Sequence, residues 1–193
     1  QVVGKGTAIM QKMKKGEQLD ILGPFGNGFA IPQNIKIAVF VAGGIGIAPL
    51  VLLAEKMVKE VTDLKTYLFI GGKSKNDVLC INDFEKLNTE ISITTENGSL
   101  GNQGLVTNSL RKFIDQKANG QTSLFACGPY QMLKAVSELT AKKNIRCQVS
   151  LDRRMACGFG ACLGCVIKVT QGNKGSYKNV CTDGPVFDAN EIY

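Results

Sequence analysis

Apolar residues along this chain follow two alternating rhythms. Between residues 35 and 151, short unbroken apolar runs trade places with stretches whose apolar positions recur every three or four residues. The run IKIAVFVAG, residues 35–43, is continuous and ends in glycine, the pattern of a parallel strand buried on both faces. Leu50, Ala54, Met57, Val58 and Val61 follow at helical spacing and predict one buried face of an α-helix. TYLFIGG, ISITT, SLFACG and IRCQVSL each read as a further strand. Helices are predicted near Val106–Phe113 and Tyr130–Thr140, the second with Met132, Leu133, Val136 and Leu139 on one face. Strands alternating with helices imply βαβ units and a parallel sheet, which binds ligands at the carboxyl ends of its strands.

The rhythm breaks at both ends. Residues 1–33 are rich in Gly and Lys, with one candidate strand, LDILG, and one turn string, LGPFGNGF. This stretch is too short for a domain of its own and reads as the end of something larger. The chain starts at Gln1 without a methionine, which predicts a fragment or a processed form. After Leu151 comes CGFGACLGC, then VIKV, TQGNKG and SYKNVC. The last three predict a β-hairpin turning near Gly172–Gly175. The divisions expected are 1–33, 34–150 and 151–193.

Composition narrows the chemistry. The 193 residues are 44% hydrophobic, enough for one good core or two small ones. No apolar run approaches the ~20 residues of a membrane-spanning helix, and no secretory leader is expected. A cytoplasmic protein is expected. The formal charge is +7, but no basic run resembles a nucleic-acid tail; Lys12, Lys14 and Lys15 read as a solvated cluster. The chain has no histidine, which excludes Ser-His and Cys-His nucleophile schemes, Rieske centres and mixed Cys/His zinc sites. Hydride and electron transfer survive that exclusion, because a cofactor carries the reaction and the protein positions it.

The seven cysteines are an odd and poor inventory for disulfides. Cys80, Cys127 and Cys147 are scattered and read as structural. The other four have the spacing Cys157-x4-Cys162-x2-Cys165-x15-Cys181, which matches the plant-type 2Fe–2S pattern of C-x4-C-x2-C with a distant fourth cysteine. The hairpin accounts for the distance, since antiparallel strands about 5 Å apart return the fourth thiol beside the third. Gly158, Gly160 and Gly164 are expected to supply close backbone approach and positive φ. Four thiolates, two sulfides and two ferric ions sum to about −2, which Arg153 and Arg154 could partly offset. A four-cysteine structural zinc site is the metallic alternative, and cysteines packed as small hydrophobes the non-metallic one.

VAGGIGIAPL follows the first strand and opens a helix. Gly43, Gly44 and Gly46 would let a pyrophosphate approach the backbone there, and Pro49 suits the first helical turn. The string is not the Rossmann fingerprint, because Pro49 stands where the third glycine would be, and a tight turn without a ligand is the alternative. The second strand ends in GGKSK with no acidic residue for a ribose; Lys73, Ser74 and Lys75 could accommodate a 2′-phosphate. ACGPYQM repeats the strand–turn–helix layout at Cys127, Gly128 and Pro129.

VGKGTAIM, LGPFGNGF, AGGIGIAPL, ACGPYQM, MACGFGACLGC and VCTDGPVF, in this order, resemble the electron-transfer subunits of type B dihydroorotate dehydrogenases, within the ferredoxin-reductase superfamily. The resemblance spans the chain. It implies an α/β fold: a ferredoxin-reductase-like NAD-binding domain with a parallel sheet flanked by helices, preceded by the tail of an FAD-binding β-barrel and followed by a small 2Fe–2S domain. It implies that Gly6 and Thr7 approach the flavin phosphates, and that Gly43, Gly44, Gly46, Pro49, Cys127, Gly128 and Pro129 face NAD. Cys157, Cys162, Cys165 and Cys181 would hold the cluster. It further implies an FMN-containing, dihydroorotate-oxidising partner in a hetero-oligomer, electrons passing through the cluster and FAD to NAD, and a place in pyrimidine biosynthesis. The family's barrel is longer on its N-terminal side and carries an Arg-x-Tyr-Ser-like motif that this chain lacks, so its flavin site is incomplete here. Small subunits of NADH-dependent ferredoxin:NADP or sulfide oxidoreductases look similar. A non-catalytic module built around zinc is the alternative of another class.

Overall fold

The structure, a computed structural model, describes residues 2–171 and 174–192. It opens with helix α1 (Lys5–Lys12). Strand β1 (Ile37–Gly43) leads through a single 3₁₀ turn, Gly44–Ile47, into α2 (Ala48–Glu60). Then follow β2 (Lys65–Gly72), the short α3 (Ile81–Glu85), β3 (Glu90–Thr95), β4 (Asn102–Gln103) and α4 (Val106–Lys117). β5 (Thr122–Cys127), α5 (Tyr130–Ala141) and β6 (Arg146–Ser150) complete the alternation. The last segment holds β7 (Val166–Gln171), β8 (Lys174–Asn179), β9 (Val186–Asp188) and α6 (Ala189–Ile192).

Seven strands form one sheet in the order β4-β3-β2-β1-β5-β6-β9, parallel except for the antiparallel β9 edge. Side chains alternate along β1 and build two cores. Ala38, Phe40 and Ala42 face Leu50, Ala54 and Met57 of α2, with Phe84 and Phe125. Val39 and Val41 face the other layer, where Leu110, Phe113, Leu133 and Val136 of α4 and α5 pack. Each large side chain so buried contributes about 1.5–3 kcal/mol. Val169, Val180, Cys165 and Cys181 belong to this second core, so the cysteine segment is packed against the sheet rather than tethered to it.

The chain leaves β1 toward β2 on one side and leaves β5 toward β6 on the other. Their carboxyl ends, adjacent in the sheet, therefore part into a crevice at the position where such folds bind ligands.

Several elements depart from expectation. LDILG is not a strand: residues 19–23 carry no ladder, and Leu19, Ile21 and Leu22 are exposed. Among the described residues no neighbouring strand offers its backbone a partner, and apolar content alone cannot make one. The α2 face includes Leu53, which spacing passed over, while Val58 is exposed and Val61 caps the helix. β7 and β8 pair from Val166↔Asn179 to Gln171↔Lys174, as the predicted hairpin requires; its turn, expected at Gly172–Gly175, lies partly outside the described residues.

Candidate functional site

A cleft of about 1500 Å³ runs along the carboxyl edge of the sheet. Gly43, Gly44, Gly46 and Pro49 line it from the first turn, and Cys127, Gly128 and Pro129 from the turn after β5. All seven residues expected to face a dinucleotide are thus brought to one cleft.

The three glycines of the first turn do different jobs. A β-carbon on Gly43 would lie 2.5 Å from Pro129 Cδ, and one on Gly46 would strike the Cys127 carbonyl. Both are spent on packing the first turn against the β5–α5 turn. Gly44 alone, at φ +53° with nothing within 4 Å of its missing β-carbon, leaves open space for a ligand. All three line the cleft, and Gly43 and Gly46 also hold the crevice walls together.

Cys127 sits at the end of β5 opposite Ser150 of β6. Burial pushes its thiol up, while the Ser150 side chain works the other way and Asp152 adds to the rise. It is a neutral thiol at the crevice wall at ordinary pH.

Sequence reasoning missed the acids of the cleft. Asp77 and Glu96 line it beside Lys73. The Asp77 carboxylate accepts from the Ser74 N–H at 2.9 Å and its hydroxyl at 3.3 Å, closing the 3₁₀ turn after β2. The signal was present as Ser-x-x-Asp, a capping pair. Ser74 and Lys75 do not line the cleft, so of the three residues considered for a 2′-phosphate only Lys73 reaches it.

Thr7 lies in the first turn of α1. Its hydroxyl accepts from the Val3 and Gly4 N–H groups at 2.9 and 3.1 Å and donates to the Gly4 carbonyl at 3.0 Å. Gly6 has open space around it. Neither lines the cleft, and α1 buries no residue of its own.

The four cysteines come together as two pairs. The Cys162 N–H donates to the Cys157 sulfur, and the Cys181 N–H to the Cys165 sulfur, each at 3.4 Å. The Gly164 N–H donates to the Cys162 sulfur, also at 3.4 Å. Donation from the Cys162 N–H, then from that of Phe159, brings the Cys157 thiol down to about 6. The Cys181 N–H likewise lowers Cys165, whereas burial and then the neighbouring Cys165 raise Cys181, with the Gly160 N–H opposing. Cys165 and Cys181 are buried and Cys162 is exposed. Gly158 and Gly160 take φ +81° and +87°, as expected, but Gly164 does not. The left-handed residue there is Leu163, at +54°, and Gly164 serves by close approach to the Cys162 sulfur.

Among the described residues, no three Cys, Asp or Glu side chains surround a point that one ion could occupy. Two thiol pairs instead suit a binuclear centre, which four protein sulfurs would hold two to each iron. The backbone N–H groups directed at three of the sulfurs suit acceptors carrying that charge.

The remaining cysteines are apart from this cluster. Cys147 is buried in β6 and its thiol is pushed up to about 12 by desolvation. Cys80 caps α3 at φ +54°. Among the described residues no helix is long and apolar enough to cross a membrane.

A crevice at the carboxyl ends of the strands, walled in part by the segment that carries the paired thiols, defines the class: an oxidoreductase subunit with a ferredoxin-reductase-like NAD-binding fold and an iron–sulfur segment. Residues 40–138 match the oxidoreductase NAD-binding domain, and residues 152–193 match the iron–sulfur cluster binding domain of dihydroorotate dehydrogenase B. The electron transfer subunit of dihydroorotate dehydrogenase B (NAD(+)) from Caldanaerobacter subterraneus subsp. tengcongensis is 45% identical over 193 residues, covering 100% of this chain and 73% of its own. The subunit of the same name from Desulforamulus reducens is 38% identical, covering 99% of this chain and 71% of its own. A solved structure of an NADH-dependent reduced ferredoxin-NADP oxidoreductase, studied for flavin-based electron bifurcation, superposes with a TM-score of 0.82 at 30% identity. It covers 100% of this chain and 66% of that one. The chain belongs to the family of dihydroorotate dehydrogenase B electron transfer subunits.

Proposed function

We infer that this chain carries electrons from a dihydroorotate-oxidising, FMN-containing partner subunit to NAD, by way of a 2Fe–2S cluster and FAD, in the cytoplasm. One observation carries the reading: the segment that bears the four cysteines forms part of the wall of the dinucleotide cleft. Arg153, Ile167, Lys168 and Thr170, all from the cysteine segment, line the same cleft as Gly44 and Cys127.

Cys157 with Cys162, and Cys165 with Cys181, would hold the two irons. When bound, the cluster supplies one-electron transfer, the flavin converts between one and two electrons, and NAD takes two as hydride. The chain's own residues position these groups. Gly44 leaves the backbone bare where a pyrophosphate would approach, and Lys73, Arg153 and Lys168 bring positive charge to the cleft. Cys127 borders the inner end as a neutral thiol. Gly6 and Thr7, in the first turn of α1, would offer N–H groups to the flavin phosphates. The exposed edge of the cysteine loop suits the partner: Cys162 is surrounded in sequence by exposed Met155, Phe159 and Leu163, an apolar rim where electrons would enter.

A second reading keeps the relay and changes the donor, making this the small subunit of an NADH-dependent ferredoxin:NADP oxidoreductase. The superposition at 30% identity favours it to that extent. Co-purification separates the two. With the intact subunit as bait, recovery of a flavoprotein that reduces its flavin on addition of dihydroorotate supports the first reading. Recovery of a partner inert to dihydroorotate but reducible by ferredoxin supports the second.

A further inference from the structure

The turn Cys181–Gly184 follows the last cysteine, and its polar groups divide into two sets. Its donors go inward: the Thr182, Asp183 and Gly184 N–H groups all reach the Asn179 carbonyl, at 3.3, 2.8 and 3.4 Å. The Asn179 N–H in turn donates to the Asp183 carboxylate at 2.6 Å. Its acceptors go outward, to one residue more than 150 positions earlier. The Asn27 side-chain amide donates to the Thr182 carbonyl at 3.1 Å and the Asp183 carbonyl at 3.2 Å, and the Asn27 main-chain N–H donates to the Gly184 carbonyl. Val186 N–H returns a bond to the Asn27 carbonyl at 3.4 Å, completing a parallel bridge between Asn27 and Pro185.

Three consecutive carbonyls that no strand takes are therefore taken by Asn27. The approach leaves no slack. A β-carbon on Gly26 would strike the Gly184 carbonyl and lie 3.1 Å from that of Cys181. The Phe25 ring lies 3.7 Å from the place of a β-carbon on Gly158, inside the loop between the first two cysteines. On that loop's far side, a β-carbon on Gly160 would be 3.2 Å from Thr182. The string Phe25–Gly26–Asn27 thus touches both halves of the cysteine constellation.

A separate tie fixes the same segment to the sheet. The Gln148 side chain of β6 accepts from the Ala30 N–H at 2.9 Å and donates to the Ala30 carbonyl at 2.7 Å. The segment has two anchors, one at the cysteine turn and one away from it.

We propose that Asn27 is a positioning residue for the iron–sulfur cluster: by holding the carbonyls of Thr182 and Asp183 it sets the orientation of the turn that presents Cys181. The inference rests on the four cysteines binding a cluster. Partners outside the ligand shell typically alter metal retention by about 10–100-fold when removed. The turn after Cys181 is where that effect enters here, because nothing else among the described residues takes its two carbonyls.

The test uses the full-length subunit in its native complex, purified anaerobically, with wild-type, Asn27→Ala and Gln148→Ala compared. Asn27→Ala is expected to lose iron to a chelator at least about tenfold faster and to shift or broaden the electron paramagnetic resonance of the reduced cluster. Gln148→Ala, which cuts the other anchor, is expected to keep the wild-type spectrum and rate even where its melting temperature falls. Wild-type behaviour in Asn27→Ala overturns the proposal. So do equal changes in both variants, which would make the effect one of segment stability. Should Asn27→Ala fail to fold, Asn27→Asp replaces it, keeping the size and the main-chain bridge while turning the amide donor into an acceptor. It must reproduce the change, and a wild-type spectrum and rate in it overturn the proposal. Iron and sulfide content of the wild-type complex is the separate control on the cluster itself.

Discussion

The main-chain N–H of Cys181 donates to the sulfur of Cys165 at 3.4 Å, joining two residues sixteen positions apart. The β7–β8 pairing makes this contact, since Val166 and Asn179 face each other just inside the two cysteines. Cys157 and Cys162 form their own pair five residues apart. On the proposed assignment, loss of one thiol from either pair would leave an iron with a missing ligand. Cys181→Ser and Cys157→Ser are each expected to strip most of the iron from the complex, whereas Cys80→Ser keeps it. Iron assay of the purified complexes checks this; full iron in Cys181→Ser would remove that residue from the ligand set.

The glycines of the first turn predict two separable losses. Gly46→Ala drives a methyl into the Cys127 carbonyl and is expected to cost about 1–3 kcal/mol, as overpacking does. Gly44→Ala meets no atom, but its φ of +53° costs a side chain roughly 1–2 kcal/mol, and the methyl enters the open space of the cleft. Thermal melts with and without NAD distinguish them. The NAD-dependent rise in melting temperature shrinks more in Gly44→Ala, while the basal melting temperature falls more in Gly46→Ala.

Cys147 predicts an alkaline weakness. Its folded-state thiol lies at about 12, above the ordinary value of 9.0, because burial disfavours the thiolate. Below pH 9 both folded and unfolded states keep the proton and nothing is lost. Between pH 9 and 12 the unfolded state releases it first, so stability falls as pH rises, by up to about 1.4 kcal/mol per pH unit. Denaturant titrations at pH 8 and pH 10 are expected to show a smaller alkaline loss in Cys147→Ala than in the wild type.

The parallel sheet was legible because its strands are buried on both faces and announce themselves as unbroken apolar runs, as in Val39–Ala42. The approach of Cys181 to Cys165 was legible because a hairpin returns the fourth cysteine beside the third, whereas the pairing of Cys157 with Cys162 was not read. LDILG misled because a strand is made by its neighbour, and Ile21 has none among the described residues. The short edge strand β9 escaped notice, since three residues carry no period. The split roles of Gly43, Gly44 and Gly46 could not be read either: the contacts that separate them come from Cys127 and Pro129, more than eighty residues away. Asn27 was visible only as part of a turn string, because its partners lie at the opposite end of the chain.

The central claim is that four thiols in two pairs hold a binuclear iron–sulfur cluster beside an NAD cleft. Metal and acid-labile sulfide analysis of the anaerobically purified complex, with an absorption spectrum before and after NADH, tests it most directly. About two irons and two sulfides per chain, with visible bands that partly bleach on adding NADH, is the predicted result. One zinc per chain, no sulfide and a colourless sample indifferent to NADH would contradict it.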